Sequence, residues 1–133
     1  MGTRSYIGMV ENDGKIRAVY CHWDGYPSHN GKILLNHYDE NKTKELLDLG
    51  DLSSLGPNIG TKHEFDARPE GECTFYGRDR GEPDVSAKLF KTEEEFLKGG
   101  YVSYCYLLRN DGWYVSTEDD TMVKLTPEII AEE

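Results

Sequence analysis

Residues 5–23 read SYIGMVENDGKIRAVYCHW, two β-rich runs, Ser5–Glu11 and Lys15–Trp23, joined through Asn12-Asp13-Gly14. Branched and aromatic side chains suit a pleated strand, and an Asp-Gly pair supplies the positive φ angles that a tight primed turn requires. With Asp13-Gly14 as a two-residue loop, Met9 faces Ala18 and Ile7 faces Tyr20. Ile16 and His22 then share that mostly apolar face. The arrangement recurs near the other end of the chain. Tyr101–Arg109 and Trp113–Thr117 flank Asn110-Asp111-Gly112, and the same register sets Leu108 opposite Val115 and Tyr106 opposite Thr117. Two Asn-Asp-Gly turns between β-rich runs predict antiparallel sheet.

Helical patterns fill the space between the hairpins. Ser28 can cap a helix running to Tyr38, with Ile33, Leu34, His37 and Tyr38 on one stripe. Thr43–Leu49 forms a second, stopped at Gly50. Thr92-Glu93-Glu94-Glu95 is a capping box ahead of Phe96 and Leu97, and Thr126-Pro127 opens a short terminal helix. From Asp51 to Pro83 the chain is rich in Gly, Ser, Pro and charge, broken by a short strand at Cys73–Tyr76. The expected fold class is α+β: an antiparallel sheet built from the two Asn-Asp-Gly hairpins, with short helices packed on it. At 133 residues the chain fits a single domain spanning 1–133.

The formal charge is −10, from 15 basic and 25 acidic residues. From Arg68 onward there are 8 basic and 15 acidic residues, a net of −7, which leaves −3 for the first half. Such a surface repels phosphate backbones, so sequence-independent nucleic-acid binding is disfavoured, while docking on a basic protein surface is compatible with it. Cys21, Cys73 and Cys105 form an odd set with no short spacing, unlike a disulfide scaffold or a zinc ribbon. No segment approaches membrane-spanning length. The expectation is a reduced, cytosolic protein with no membrane partner. Nine Tyr and two Trp in so polar a chain also favour self-association into a homo-oligomer.

Two stretches carry residues able to do chemistry. After Tyr20 the chain runs Cys21-His22-Trp23-Asp24-Gly25-Tyr26 into a helix start, where backbone N–H groups favour anions. His22, Trp23, Asp24 and Tyr26 would ring that mouth with a titratable group, two stacking rings and an acceptor. The plainer alternative is that Trp23 and Tyr26 pack the helix on the sheet while Asp24 satisfies the turn. The second stretch is Gly77-Arg78-Asp79-Arg80-Gly81-Glu82. Arg78 and Arg80 could close bidentately on a phosphate or carboxylate, or Asp79 and Glu82 could simply neutralise them in a solvated loop. A ligand touching both stretches is the sharpest expectation. No spacing typical of a metal site is present, and no dinucleotide or Walker fingerprint calls for a cofactor. Cys21 and His22 point to opposite strand faces and cannot form a thiol–imidazole pair.

These residues also carry a family likeness. Thr3–Gly8, Tyr20–Tyr26, Gly31, Leu34, His37-Tyr38, Leu49–Gly56, Arg78–Glu82 and Trp113-Tyr114-Val115 resemble a family of small proteins encoded by bacteriophages and prophages. The resemblance covers most of the chain and brings no catalytic or binding residues with it. It implies a setting, the cytoplasm of a bacterial host cell, and a kind of task, the modulation or blocking of a host factor. The leading expectation is a non-enzymatic accessory protein that counters host defence or modulates a host factor, by sequestering a small anionic, nucleotide-like ligand or by occluding a host protein. A small nucleotide-acting hydrolase using His22 or Asp24, and a structural virion component, are the competing classes.

Overall fold

The computed structural model describes residues 2–116 and 119–132. Around Asn12-Asp13-Gly14 run the antiparallel strands β1 (Ser5–Val10) and β2 (Ile16–Cys21). Of the three loop residues only Gly14 takes a positive φ, at 86°. The Glu11 N–H donates to the Lys15 carbonyl at 2.7 Å, closing a loop of three residues rather than two. That extra residue moves the pairing by one place: Gly8 faces Ala18, Ile7 faces Val19 and Tyr6 faces Tyr20. A one-place slip exchanges the faces of a strand, so Ile7 lies with Val19 instead of Tyr20. In the second hairpin β6 (Tyr104–Arg109) and β7 (Gly112–Ser116) set Leu108 against Trp113 and Tyr106 against Val115. The shift from the expected pairing is two places here, which keeps the faces. Thr117, the expected partner of Tyr106, lies outside the described residues.

The sheet is mixed, not wholly antiparallel, within an α+β fold. The two hairpins meet through β1 and β6, which run parallel with Ser5 beside Tyr104. Three short strands missed in the sequence, β3 (Leu52–Ser54), β5 (Lys88–Phe90) and β8 (Met122–Lys124), join the sheet. With β4 (Thr74–Phe75) they give the order β4-β3-β2-β1-β6-β7-β8, β5 pairing with the other end of β2. The parallel step from β2 to β3 requires a crossover, and the helices α1 (Lys32–His37) and α2 (Glu40–Leu49) supply it.

Both faces of the central strands are covered, which is why β1 is buried over nearly its whole length and does not alternate. Ile7, Val19, Cys21, Tyr106 and Trp113 pack with Leu34 of α1 and Leu46 and Leu47 of α2. On the opposite face Tyr6, Ile16, Ala18 and Leu107 receive Phe96 of a later helix, Glu93–Leu97. Gly8 makes that possible, since a Cβ there would stand 3.1 Å from the Ala18 Cβ and 3.2 Å from the Phe96 ring.

Local chemistry sets the helix ends. The expected cap, Ser28, does not serve; the chain enters a π turn, Pro27–Gly31, with Tyr26 at the cap position and Pro27 first in the turn. Asp39 caps α2 by accepting the Lys42 N–H at 2.8 Å, so that helix begins three residues before Thr43. His37 is exposed and no part of the buried stripe. The arginine-rich stretch is the helix α3 (Tyr76–Arg80), ended by Gly81 at φ 73°. Glu93–Leu97 is α4 and Pro127–Ala131 is α5, capped by the Thr92 and Thr126 hydroxyls. Among the described residues no helix is long and apolar enough to cross a membrane.

Candidate functional site

Where β2 ends, the His22 and Trp23 N–H groups donate to the carbonyls of Leu52 and Ser53 at 3.1 and 3.0 Å. Asp24 then takes the left-handed conformation at φ 56°, an uncommon one for a residue with a side chain. The Gly25 N–H donates to the Thr3 carbonyl at 2.8 Å, and a Cβ on Gly25 would lie 2.7 Å from that oxygen. Asn30, fully buried in the π turn, fastens the corner from beneath. Its amide nitrogen donates to the Trp23 carbonyl at 3.3 Å and to Ser5 Oγ at 3.4 Å.

The corner's side chains then part company. His22 Nδ1 lies 2.7 Å from the Tyr20 hydroxyl, and its ring meets Trp23 edge-on with centroids 4.7 Å apart. The Tyr26 hydroxyl donates to Asp24 Oδ1 at 3.2 Å, so these two close on one another. His22 and Trp23 line an open cleft of about 370 Å³ together with Gly2, Arg4, Tyr101 and Ser103. The parallel pairing of β1 with β6 builds its far wall, the Ser103 N–H donating to the Arg4 carbonyl at 2.8 Å.

Charge distinguishes this cleft. Of the six arginines, Arg17, Arg78, Arg80 and Arg109 each pair with a carboxylate. Among the described residues no ion pair engages Arg4 or Arg68. Arg68, left-handed at φ 42°, donates from Nη2 to Ser53 Oγ at 3.2 Å. That is the same Ser53 whose carbonyl holds Trp23. Partial burial and the positive charges of Arg4 and Arg68 hold the His22 imidazole below its ordinary range. Arg4 is thus a positive group in the lining of this cleft, in a chain of net charge −10.

Arg78 and Asp79 have a different place. Arg78 Nε and Nη2 donate to the Asp79 carboxylate at 3.0 and 3.1 Å. Nη1 reaches the Ile59 and Gly60 carbonyls, and Nη2 also reaches that of Cys73. Those five contacts use all five N–H donors of a guanidinium. The Asp79 side chain is fully buried and accepts the N–H groups of Phe75 and His63 at 2.8 and 3.1 Å. Burial works to raise its carboxyl, but Arg78 and the two backbone donors outweigh it and hold the group below its usual range. Arg78 and Asp79 are therefore a clamp that fastens the long segment after β3 to α3, with no donor left for a ligand.

Arg80 pairs with Glu82 and lies over the rings of Phe65 and Tyr76, 4.4 and 5.0 Å from their centroids. It lines a separate cleft with Lys62, His63 and Glu64. Trp23 and the Arg78–Arg80 pair thus do not share one cavity. The residues that complete the Trp23 cleft, Arg4, Tyr101 and Ser103, carry no signal in the sequence, because only the parallel β1–β6 pairing brings them there.

Among the described residues no three His, Cys, Asp or Glu side chains converge as a metal site would need. All three cysteines are buried free thiols, and burial pushes Cys21 up to about 12, far from a nucleophile's range. No protein-family model, curated protein or solved structure matches the chain.

Proposed function

We propose that this chain is a non-enzymatic binding protein that sequesters a small anionic, nucleotide-like ligand in the cleft of Arg4, His22, Trp23, Tyr101 and Ser103. One observation carries the reading: Arg4, with no carboxylate partner among the described residues, faces an aromatic cleft in an acidic chain. Trp23 is 37% exposed and Tyr101 95% exposed, so both rings are accessible. A nucleotide needs a face to stack on and a guanidinium for its phosphate, and the cleft offers both. His22, held below its ordinary range, adds a hydrogen-bonding edge to the cleft. Asp24 and Tyr26, bonded to each other, shape the corner but are not part of the cleft lining. In the bacteriophage setting that the resemblance implies, such a protein would counter host defence by withdrawing a nucleotide signal.

Isothermal titration with 5′-nucleoside monophosphates tests this reading. Binding by the wild-type protein and a loss in Arg4→Ala and Trp23→Ala, both folded by circular dichroism, is the expected result. No heat at millimolar nucleotide would overturn it. Conversion of the nucleotide, followed by ion-exchange chromatography and abolished in His22→Ala, would instead establish the hydrolase.

A further inference from the structure

Beyond Ser53 the surface continues in the same chemistry. Phe65 stacks on Tyr76 with centroids 5.7 Å apart and planes inclined by 28°. The guanidinium of Arg68 lies 5.1 Å from the Phe65 ring centroid and that of Arg80 lies 4.4 Å from it. Aromatic backing of this kind holds a guanidinium flat, and a flat guanidinium is a plane on which a base can stack.

Arg68 joins this ladder to the first cleft. Its anchor is the buried hydroxyl of Ser53, whose carbonyl accepts the Trp23 N–H. Trp23 follows β2 and bonds to Ser53 of the neighbouring β3, so the Arg68 guanidinium is anchored one strand spacing, about 5 Å, from the Trp23 backbone. Tyr76, after the antiparallel β4, bonds to Asp51 at the other end of β3. Of the four non-glycine residues with positive φ among the described residues, Asp24 directly follows Trp23 and Arg68 donates to Ser53. Backbone strain of that kind gathers where side chains must be held in place for a ligand. A carboxylate stands next to each station, Asp24 after Trp23 and Glu82 on Arg80, and a phosphate chain that runs past either is repelled.

We infer that the ligand is a two-unit oligonucleotide, one base stacking at Trp23 and the second on the Arg68–Arg80 planes backed by Phe65, with Arg4 and Arg68 holding phosphate. The inference rests on the proposed binding reading and adds the size of the ligand to it. Alternating rings and guanidinium groups along a short groove are how single-stranded nucleic acid is held without sequence preference. Trp23 and Tyr101 form the first ring station, Arg4 and Arg68 the charges, and the Phe65 ladder the second station.

Titrations with a 5′-nucleoside monophosphate, a 5′-phosphorylated dinucleotide and a 5′-phosphorylated tetranucleotide test it. The wild-type protein is expected to bind the dinucleotide at least about fivefold more tightly than the monophosphate, the low end for one further stacked base. The tetranucleotide should gain nothing over the dinucleotide. Arg80→Ala should remove the dinucleotide's advantage while the monophosphate affinity stays within about twofold. Phe65→Leu, which keeps an apolar side chain but loses the ring, should shrink that advantage in the same direction. Equal affinity for one and two units in the wild-type protein would overturn the inference and leave the binding reading standing. An equal loss for both ligands in Arg80→Ala would also overturn it. Absence of binding by all three ligands would sink both.

Discussion

The Arg78–Asp79 turn and the Arg4–His22–Trp23 cleft each set a guanidinium beside aromatic rings, yet they use it in opposite ways. Arg78 lies over the Phe75 ring with every donor engaged by its own chain. Arg4 lines an open cavity, and among the described residues no carboxylate pairs with it. The first is an internal joint; the second has no carboxylate partner among the described residues. What separates them is not residue type or local sequence but whether the fold supplies a matching acceptor.

The comparison breaks most readily at the clamp. Asp79→Ala leaves Arg78 buried with no counter-charge, and urea unfolding is expected to show a loss of about 3–5 kcal/mol. Nucleotide affinity of the folded fraction should be little changed. The carboxyl sits below its ordinary value in the folded chain, so its contribution is complete at neutral pH. It fades as pH falls beneath the usual Asp value of about 4 and through the depressed folded value. The stability gap between the wild-type protein and Asp79→Asn should therefore narrow in acid; a gap independent of pH would show that Asp79 is not acting as an anion.

Arg4→Ala should invert that pattern. Binding is expected to weaken by about 1.5–3 kcal/mol, the range for a hydrogen bond to a charged group. Thermal stability should stay within about 0.5 kcal/mol, since no internal partner is lost. A large stability loss in Arg4→Ala would collapse the distinction between the regions. The smallest effect belongs to a control in neither region: Gly14→Ala forces a side chain into φ 86° at the first hairpin. It should lower stability by about 1 kcal/mol and leave binding untouched.

Much of the architecture was legible wherever a local rule governs it. The Asn-Asp-Gly triplets locate two turns, and Thr92 and Thr126 mark two helix starts by capping chemistry. Register was not legible, because an Asp-Gly pair fits both a two-residue and a three-residue loop, and one residue exchanges the faces of β1 against β2. Nor was the parallel pairing of β1 with β6, which rests on contacts about a hundred residues apart. The short strands β3, β5 and β8 have too few residues to show a period. The site divided along the same line. His22 and Trp23 stood out as a strand end feeding a helix, whereas Arg4, Arg68 and Ser103 depend on which strands become neighbours. The pairing of Arg78 with Asp79 and of Arg80 with Glu82 is legible from their adjacency, but the other acceptors of Arg78, the carbonyls of Ile59, Gly60 and Cys73, follow no sequence pattern.

The β1–β6 pairing also sets a timetable. Closing so long a loop slows folding relative to contacts made locally. On the ribosome β1 must wait, with its apolar residues uncovered on one edge, until Tyr104–Arg109 has been synthesised. The first hairpin can close early, but the wall of the cleft that joins Arg4 to Ser103 is among the last parts to assemble. A nascent chain halted before β6 would carry Arg4, His22 and Trp23 without the cavity between them, so the cleft exists only once Tyr104–Arg109 has been made and paired.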